Sequence, residues 1–387
     1  MIAEPAGLYV HVPFCARACP YCDFDFEVGR ELGPAIERWE QGLARVLEAR
    51  ASAFAGREFD SLYLGGGTPS AIGAEALERV IGRLRGEVLG PKPLRELTVE
   101  LNPEHVDAGL LAALRRAGVD RVSLGIQSLD PIGLRQLGRA HSPARALAAV
   151  EQAIAIGLQT SVDLIVGWPG HGEAGLVADI DRLVELGVEH VSIYALTIEP
   201  DTPWPKLVRR GLRVLPDEDG QASLLLCAEA RLREQGFVHY EVASYARPGR
   251  EAWHNGKYWR AVDVLALGPS GASVELRRGS SGVEVIRRRN RRGLDAWLAD
   301  PGASEEPSET LVGEVAAGEA LWLGLRRLDG FEVGPWLARF GVDRAWLDAR
   351  TANQVQRGNL EWIADTTLRV APGRWLWHDD IAADLLF

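Results

Sequence analysis

The chain has 387 residues, of which 47% are apolar and 25% charged; this balance excludes extended disorder, and the length allows two or three domains. Forty-three Lys and Arg against 54 Asp and Glu leave a net charge of −11, so the overall field gives no support to non-specific binding of nucleic acid or anionic lipid. No run of about 18 apolar residues offers a transmembrane segment, and the start MIAEPAGLYVHVPF lacks the basic and apolar regions of a secretory signal, which points to the cytoplasm.

In chain order, six apolar runs read as strands: LYVHV (8–12), SLYL (61–64), ELTVEL (96–101), RVSLGI (121–126), TSVDLIV (160–166) and HVSIYAL (190–196). Between them apolar residues recur at three- and four-residue spacing, as in Leu77, Val80, Ile81 and Leu84, the mark of amphipathic helices. Strand–helix alternation predicts parallel pairing by right-handed crossovers, in an open doubly wound sheet or a partial barrel, with chemistry at the strands' C-terminal ends. Periodicity alone does not choose between the two. After EPDTPWPK the pattern predicts a helix at 218–235, the run VHYEVAS, an aromatic-rich loop and a strand VDVLALG. PGASEEPSE (301–309) reads as a linker, followed by a helix near 313–327.

Three of the four cysteines fall in CARACPYC (15–22), a spacing that brings Cys15, Cys19 and Cys22 to one point if the loop curls. Clustered thiols in a reducing compartment read as metal ligands rather than a disulfide framework. A closed zinc site would need a fourth ligand, for which His11 is a candidate. A four-iron cluster held by three thiols would instead keep one iron open for a small molecule. Cys227, in SLLLCAEARL, reads as a buried inert thiol on a helix rather than a fourth ligand. Gly65, Gly66 and Gly67 before Thr68 and Pro69 are either a tight turn or a strip whose amides approach a ligand. Glu100, Gln127, Arg139 and Asp163 stand at or near later strand ends. Each alone reads as a surface or cap residue, but together they offer the mixed donors and acceptors that a polar ligand needs.

The CxxxCxxC run after the first strand, Tyr21 before its last cysteine and GGGTP after the second strand together resemble the radical S-adenosylmethionine (SAM) superfamily. The resemblance narrows to the group around oxygen-independent coproporphyrinogen dehydrogenase, and within it to its haem-chaperone branch, through LYVHVPFC, LNPE, SLGIQSLD, LGRAHS, DLIVGWPG, SIYALTIEPDTP, HNGKYW and LWLGLRRLDG. It implies a [4Fe-4S] cluster on Cys15, Cys19 and Cys22, and SAM contacts from Tyr9, Tyr21, Gly66, Gly67, Thr68, Glu100, Gln127, Arg139 and Asp163. It also implies an α/β fold: a partial (β/α)6 barrel over 1–205, an extension over 206–300 and a mixed α/β C-terminal domain over 301–387.

Phe24 stands where the dehydrogenase has a further cysteine, so porphyrinogen decarboxylation is not the expected task. The resemblance implies haem as cargo, bound through the HNxxYW residues His254, Asn255, Tyr258 and Trp259 and delivered to a client haem protein, a membrane-associated one among the candidates. The alternative for that segment is an aromatic loop packing the barrel against the next domain, with His254 merely hydrogen-bonded. RRRNRR (287–292) is either a solvated charge run or a contact for haem propionates or an acidic partner. Ala272, in GPSGAS, replaces a histidine common in the family. The rival function is an active radical SAM enzyme, a methyltransferase or a dehydrogenase-like decarboxylase; the residues leave open whether SAM is cleaved.

Overall fold

A computed structural model describes residues 4–29, 31–215, 217–279, 282–300 and 308–386. Six strands take the expected places: β1 Ala6–Val12, β2 Phe59–Gly66, β3 Glu96–Leu101, β4 Arg121–Gln127, β5 Gln159–Val166 and β6 His190–Ala195. All five neighbouring pairs from β1 to β6 are parallel. The sheet then continues past the six through β7 Val238–Glu241, β8 Ser244–Ala246, β9 Val264–Leu267, β10 Ala272–Gly279, β11 Gly282–Arg289 and β12 Glu309–Val312, in the order β12-β11-β10-β9-β1-β2-β3-β4-β5-β6-β8-β7. Strand β9 joins β1 in parallel, while the outer strands are antiparallel. One sheet therefore draws on residues either side of 205 and runs on to 312.

The two faces of the parallel strands differ. Leu8, Val10 and Val12, Leu62 and Leu64, Leu97, Val99 and Leu101, Val122, Leu124 and Ile126, and Val162, Leu164 and Val166 all lie in one hydrophobic core. The alternate positions carry Tyr9 and His11, Tyr63, Thr98 and Glu100, Ser123, and Ser161 and Asp163. A doubly wound sheet packs helices against both faces, whereas a barrel packs them only outside and turns its other face to an interior that, left partly open, can be polar. This polar inner face is that of the partial barrel.

Local signals set the outer helices. Asp107 caps α1 Ala108–Arg116 by accepting from Leu110 N at 2.7 Å. Asp130 caps α2 Pro131–Gln136, with Pro131 in its first turn, and Ser142 caps α3 Pro143–Ala155 in the same way. These oxygens satisfy amides that a helix start leaves free.

The expected helix at 218–235 is α4 Glu218–Glu234. The segment expected as an aromatic-rich loop instead contains a helix, α5 Trp253–Trp259. Lys257, fully buried, ties it down by donating to the Pro5 carbonyl at 2.7 Å and pairing with Asp60 at 2.6 Å. The guanidinium groups of Arg95 and Arg260 pack on Trp253, 3.3 and 4.2 Å from its ring centroid. Residues 301–307 of the expected linker lie outside the described residues, and Glu309 belongs to β12 rather than to a linker. The helix near 313–327 is α6 Gly313–Gly324. A second core of Leu321, Leu325, Phe331, Leu347, Leu368 and Leu385 surrounds a three-stranded antiparallel sheet, Phe331–Glu332, Thr367–Val370 and Leu360–Ile363. Among the described residues no helix is long and apolar enough to cross a membrane.

Candidate functional site

Just beyond β1, Phe14–Cys15 pairs with Glu27–Val28, which pinches residues 16–26 into a loop. A turn within it is closed by Cys22 N donating to the Cys19 carbonyl at 3.2 Å. Cys15 is buried, and Cys19 and Cys22 are half-buried. Burial pushes Cys15 and Cys22 up to about 11, so the thiolates that a metal requires become favourable only when a cation sits on them.

Two of the sulfurs are joined by a chain of polar contacts. Cys15 Sγ lies 3.4 Å from Thr68 Oγ1, which accepts from Asn102 Nδ2 at 3.2 Å. Asn102 Oδ1 accepts from Arg139 Nη2 at 2.5 Å, and Arg139 Nη1 reaches Cys19 Sγ at 3.5 Å. Asn102 was not anticipated as a site residue. Its signal was a lone amide directly after β3 and before Pro103.

The zinc alternative loses its fourth ligand here. His11 Nε2 donates to the Asp25 carbonyl at 2.8 Å and Nδ1 lies 3.3 Å from Tyr9 Oη, so both ring nitrogens are engaged. Among the described residues no three His, Cys, Asp or Glu side chains are drawn around one ion-sized point. Cys227, on α4, is half-buried rather than buried and has Glu173 and Glu234 for charged neighbours, away from the loop.

The glycine strip at the end of β2 works by close approach. A Cβ on Gly67 would stand 2.7 Å from the Phe14 carbonyl oxygen, and one on Gly66, whose φ is +107°, would stand 2.5 Å from His11 Nδ1. The amides of Gly66, Gly67 and Thr68 are engaged within the protein. Gly67 N donates to Val12 O and Thr68 N to Phe14 O, at 2.9 and 2.7 Å, while Gly66 N donates to Glu100 Oε2 at 3.3 Å. The strip fastens the second strand to the cysteine loop.

Below it the lumen is lined by ionisable groups. Glu100 also accepts from Tyr63 Oη at 2.6 Å, and burial raises its carboxyl to about 7. Asp163 accepts from Ser123 Oγ at 3.3 Å and is raised to about 6, again mainly by burial. Arg121, buried at the start of β4, opposes both shifts with its charge. Gln127 adopts φ +65° at the end of β4, a left-handed conformation that is strained for a residue with a side chain. Its Oε1 and the Nε of Arg139 are shut off from solvent without a protein partner. Such orphaned polar atoms fit a site that a polar ligand completes. Tyr21 packs with Leu137, Trp204 and Ile165 beside Arg139 and Cys19. Tyr9 lies deeper, its ring stacked on Tyr63 with centroids 6.1 Å apart.

His254 is elsewhere. Helix α5 closes the N-terminal end of the barrel, where Trp253 N donates to Glu96 at 2.6 Å and its indole to Asp60 at 3.0 Å. The His254 ring is 1% exposed, its Nδ1 lies 2.9 Å from Ser61 Oγ, and it stacks on Tyr63. Its Nε2 is enclosed without a partner, and burial lowers its pKa to about 3. The HNxxYW segment and the cysteine loop thus lie towards opposite ends of the seven-residue β1, which spans ~20 Å at ~3.3 Å per residue. Tyr258 stands edge-on to His254 at 5.9 Å, as a four-residue helical spacing requires.

RRRNRR is largely paired. Arg287 bonds Glu309 and Glu319, Arg288 bonds Glu275, Arg291 reaches Asp300, and Arg292 donates to the Asp23 carbonyl in the cysteine loop. Ala272 is exposed at the start of β10.

Residues 9–183 match the family model of the radical SAM superfamily. The chain is 42% identical over 272 residues to the heme chaperone HemW of Mycobacterium tuberculosis, covering 70% of this chain and 69% of that protein. It is 35% identical to the HemW of Escherichia coli over 268 residues, 68% of each, and 31% identical to that of Lactococcus lactis over 88% of this chain and 86% of the relative. Among solved structures, the E. coli coproporphyrinogen III oxidase HemN, a radical SAM enzyme, superposes with a TM-score of 0.81 over 99% of this chain and 90% of its own at 20% identity, a likeness of fold. At the identity and coverage of the HemW relatives, the chain belongs to the radical SAM superfamily and, within it, to the HemW family of heme chaperones.

Proposed function

We propose that this protein is a haem chaperone that carries a [4Fe-4S] cluster on Cys15, Cys19 and Cys22, binds SAM above the barrel lumen, and delivers haem to a client haem protein. The observation that carries the reading is the polar chain from Cys15 through Thr68, Asn102 and Arg139 to Cys19. It supports a loop whose thiols are held for ligation and not for a disulfide. When bound, a cluster with three protein ligands supplies an open iron that can hold a small molecule and a site for one electron.

The remaining work falls to the chain's own groups. Arg139 places positive charge beside Cys19. Glu100, Asp163 and the orphaned Gln127 Oε1 offer acceptors to the ammonium and hydroxyl groups of SAM. Thr68 and the Gly66–Gly67 backbone shape the wall against which it rests, and Tyr9 and Tyr21 bound it with rings. His254, kept neutral by burial, has a nitrogen lone pair available for haem iron. Because its ring is enclosed, α5 must shift before a macrocycle reaches it. The three-part division at 205 and 300, a cytoplasmic location and a membrane-associated client belong to the same proposal.

Anaerobic reconstitution followed by haem titration tests the reading. Expected are iron and inorganic sulfide in equal amounts, lost in Cys15→Ala, and stoichiometric haem uptake that shifts the Soret band and is diminished in His254→Ala. Haem uptake no better than that of an unrelated protein of similar size would overturn the chaperone reading. Methylated or decarboxylated product with SAM and a substrate would establish the enzyme instead.

A further inference from the structure

The second half of the cysteine loop is held by one carboxylate that lies outside the superfamily's motif. Asp25, three residues past Cys22, accepts from Ser270 Oγ at 2.7 Å and from Gly293 N at 2.8 Å through the same oxygen, Oδ2. Its other oxygen lies 3.8 Å from Arg292 Nε, and its side chain is 14% exposed. Its backbone carbonyl accepts from His11 Nε2, while Arg292 reaches the Asp23 carbonyl at 2.8 Å. These partners come from distant parts of the chain. Ser270 belongs to the turn between β9 and β10, and Gly293 precedes the helix Leu294–Ala299.

The local backbone underlines the contact. Ser270 holds φ +57°, a conformation that costs a non-glycine residue free energy unless its surroundings over-determine it. At the same turn a Cβ on Gly268, at φ +87°, would stand 2.2 Å from the His11 carbonyl oxygen. The turn is therefore pressed directly against the root of the cysteine loop. The first half of the loop is fastened separately, by Arg17 to the Gly138 and Arg139 carbonyls and by Trp204 N to the Pro20 carbonyl. Without the Asp25 carboxylate the run from Cys22 to Phe26 keeps His11 and Arg292 on its backbone but loses its side-chain anchors to the β9–β10 turn and to Gly293.

We infer that Asp25 is a positioning residue for the metal centre: it locks the outgoing limb of the cysteine loop to the β9–β10 turn, and so sets how firmly Cys22 holds iron. This rests on the reading of Cys15, Cys19 and Cys22 as cluster ligands. A carboxylate accepting two hydrogen bonds beside a guanidinium is a strong, geometrically specific clamp. Its loss frees a limb that carries one of three ligands, and a metal held at three points is released faster when one point moves.

The test compares the full-length parent with Asp25→Ala, Asp25→Asn and Ser270→Gly after anaerobic reconstitution. Iron release to a chelator and the electron paramagnetic resonance spectrum of the reduced cluster, with and without SAM, are the readouts. Asp25→Ala is expected to release iron about tenfold faster, the scale of losing a hydrogen bond to a charged group, with a broadened spectrum. Asp25→Asn keeps an acceptor oxygen for Ser270 and Gly293 and is expected to stay within about threefold of the parent. Ser270→Gly removes the hydroxyl while relieving the positive φ, so its fold is secure, and it is expected to fall between the two. If Asp25→Ala and Ser270→Gly both match the parent in release rate and spectrum, the inference is overturned. If Asp25→Ala does not fold, Ser270→Gly decides alone. A parent that takes up no cluster would refute the ligand reading itself, which is a distinct outcome.

Discussion

Glu100 is where burial and binding meet. Its carboxyl is raised to about 7 because the lumen withholds water, even though Tyr63 and Gly66 donate to it. It is therefore mostly neutral at pH 6 and mostly ionised at pH 8. An ammonium group is attracted only to the ionised form, so SAM affinity is expected to rise several-fold between pH 6 and 8. Calorimetric titration at the two pH values checks this, and Glu100→Gln should flatten the dependence and bind weakly throughout. Asn102 makes a second residue-scale case, since its amide bridges Thr68 and Arg139. Asn102→Ala leaves a buried guanidinium short of an acceptor, which costs about 1–3 kcal/mol; a lowered urea midpoint with unchanged secondary structure is the expected result. A parental midpoint would mean the bridge carries no weight.

Two elements govern access to the barrel, one at each end. At the mouth, the end of β2 lies so close to the loop after β1 that Gly67→Ala would drive a methyl into the Phe14 carbonyl. Backbone cannot swing aside as a long side chain can, so a loss of about 1–3 kcal/mol is expected, read as a lower denaturation midpoint. At the floor, α5 seals His254 between Ser61 and Tyr63 and is held by Lys257 and Trp253. If haem iron takes His254, that helix has to leave its seat. Hydrogen exchange at 253–259 should then accelerate on haem addition, and Lys257→Met, which removes the clamp, should speed haem uptake. Unchanged exchange across this helix with haem bound would place the ligand elsewhere.

Across the whole molecule, burial sets how stability responds to acid. His11, His105, His171, His190, His254 and His378 are all lowered from the ordinary value of 6.5, chiefly by desolvation. The unfolded chain binds protons at these sites below about pH 6.5 while the fold refuses them, so their contribution to stability falls as the pH falls. Glu100 and Asp163 act in the opposite sense. Their folded pKa values of about 7 and about 6 exceed the unfolded 4.5 and 3.8, so what they add is present in acid and is lost as the pH rises through 6 to 7. A melting temperature that drops from pH 7 to pH 5 is expected, with a steeper drop in Glu100→Gln, which lacks one of the opposing groups. A shallower drop in that variant would contradict the assignment.

The strand–helix alternation and the placing of the six central strands were legible in the sequence, because each is encoded by a local pattern of period two or near 3.6. So was the cysteine cluster, which the structure places in one loop just beyond β1. The choice of a barrel over an open sheet was written in the alternation of Leu8, Tyr9, Val10 and His11, yet it became decisive only with helices seen against one face. Tertiary structure alone settled what depends on contacts between distant segments. It gathered Asp25, Ser270 and Gly293 from positions up to 268 residues apart and spent the glycine amides inside the protein. It also turned the HNGKYW segment into a helix and placed His254 at the far end of the barrel from the cysteines. A sequence carries such contacts only as unpaired halves, and it is the fold, by burying both halves together, that decides which of them meet.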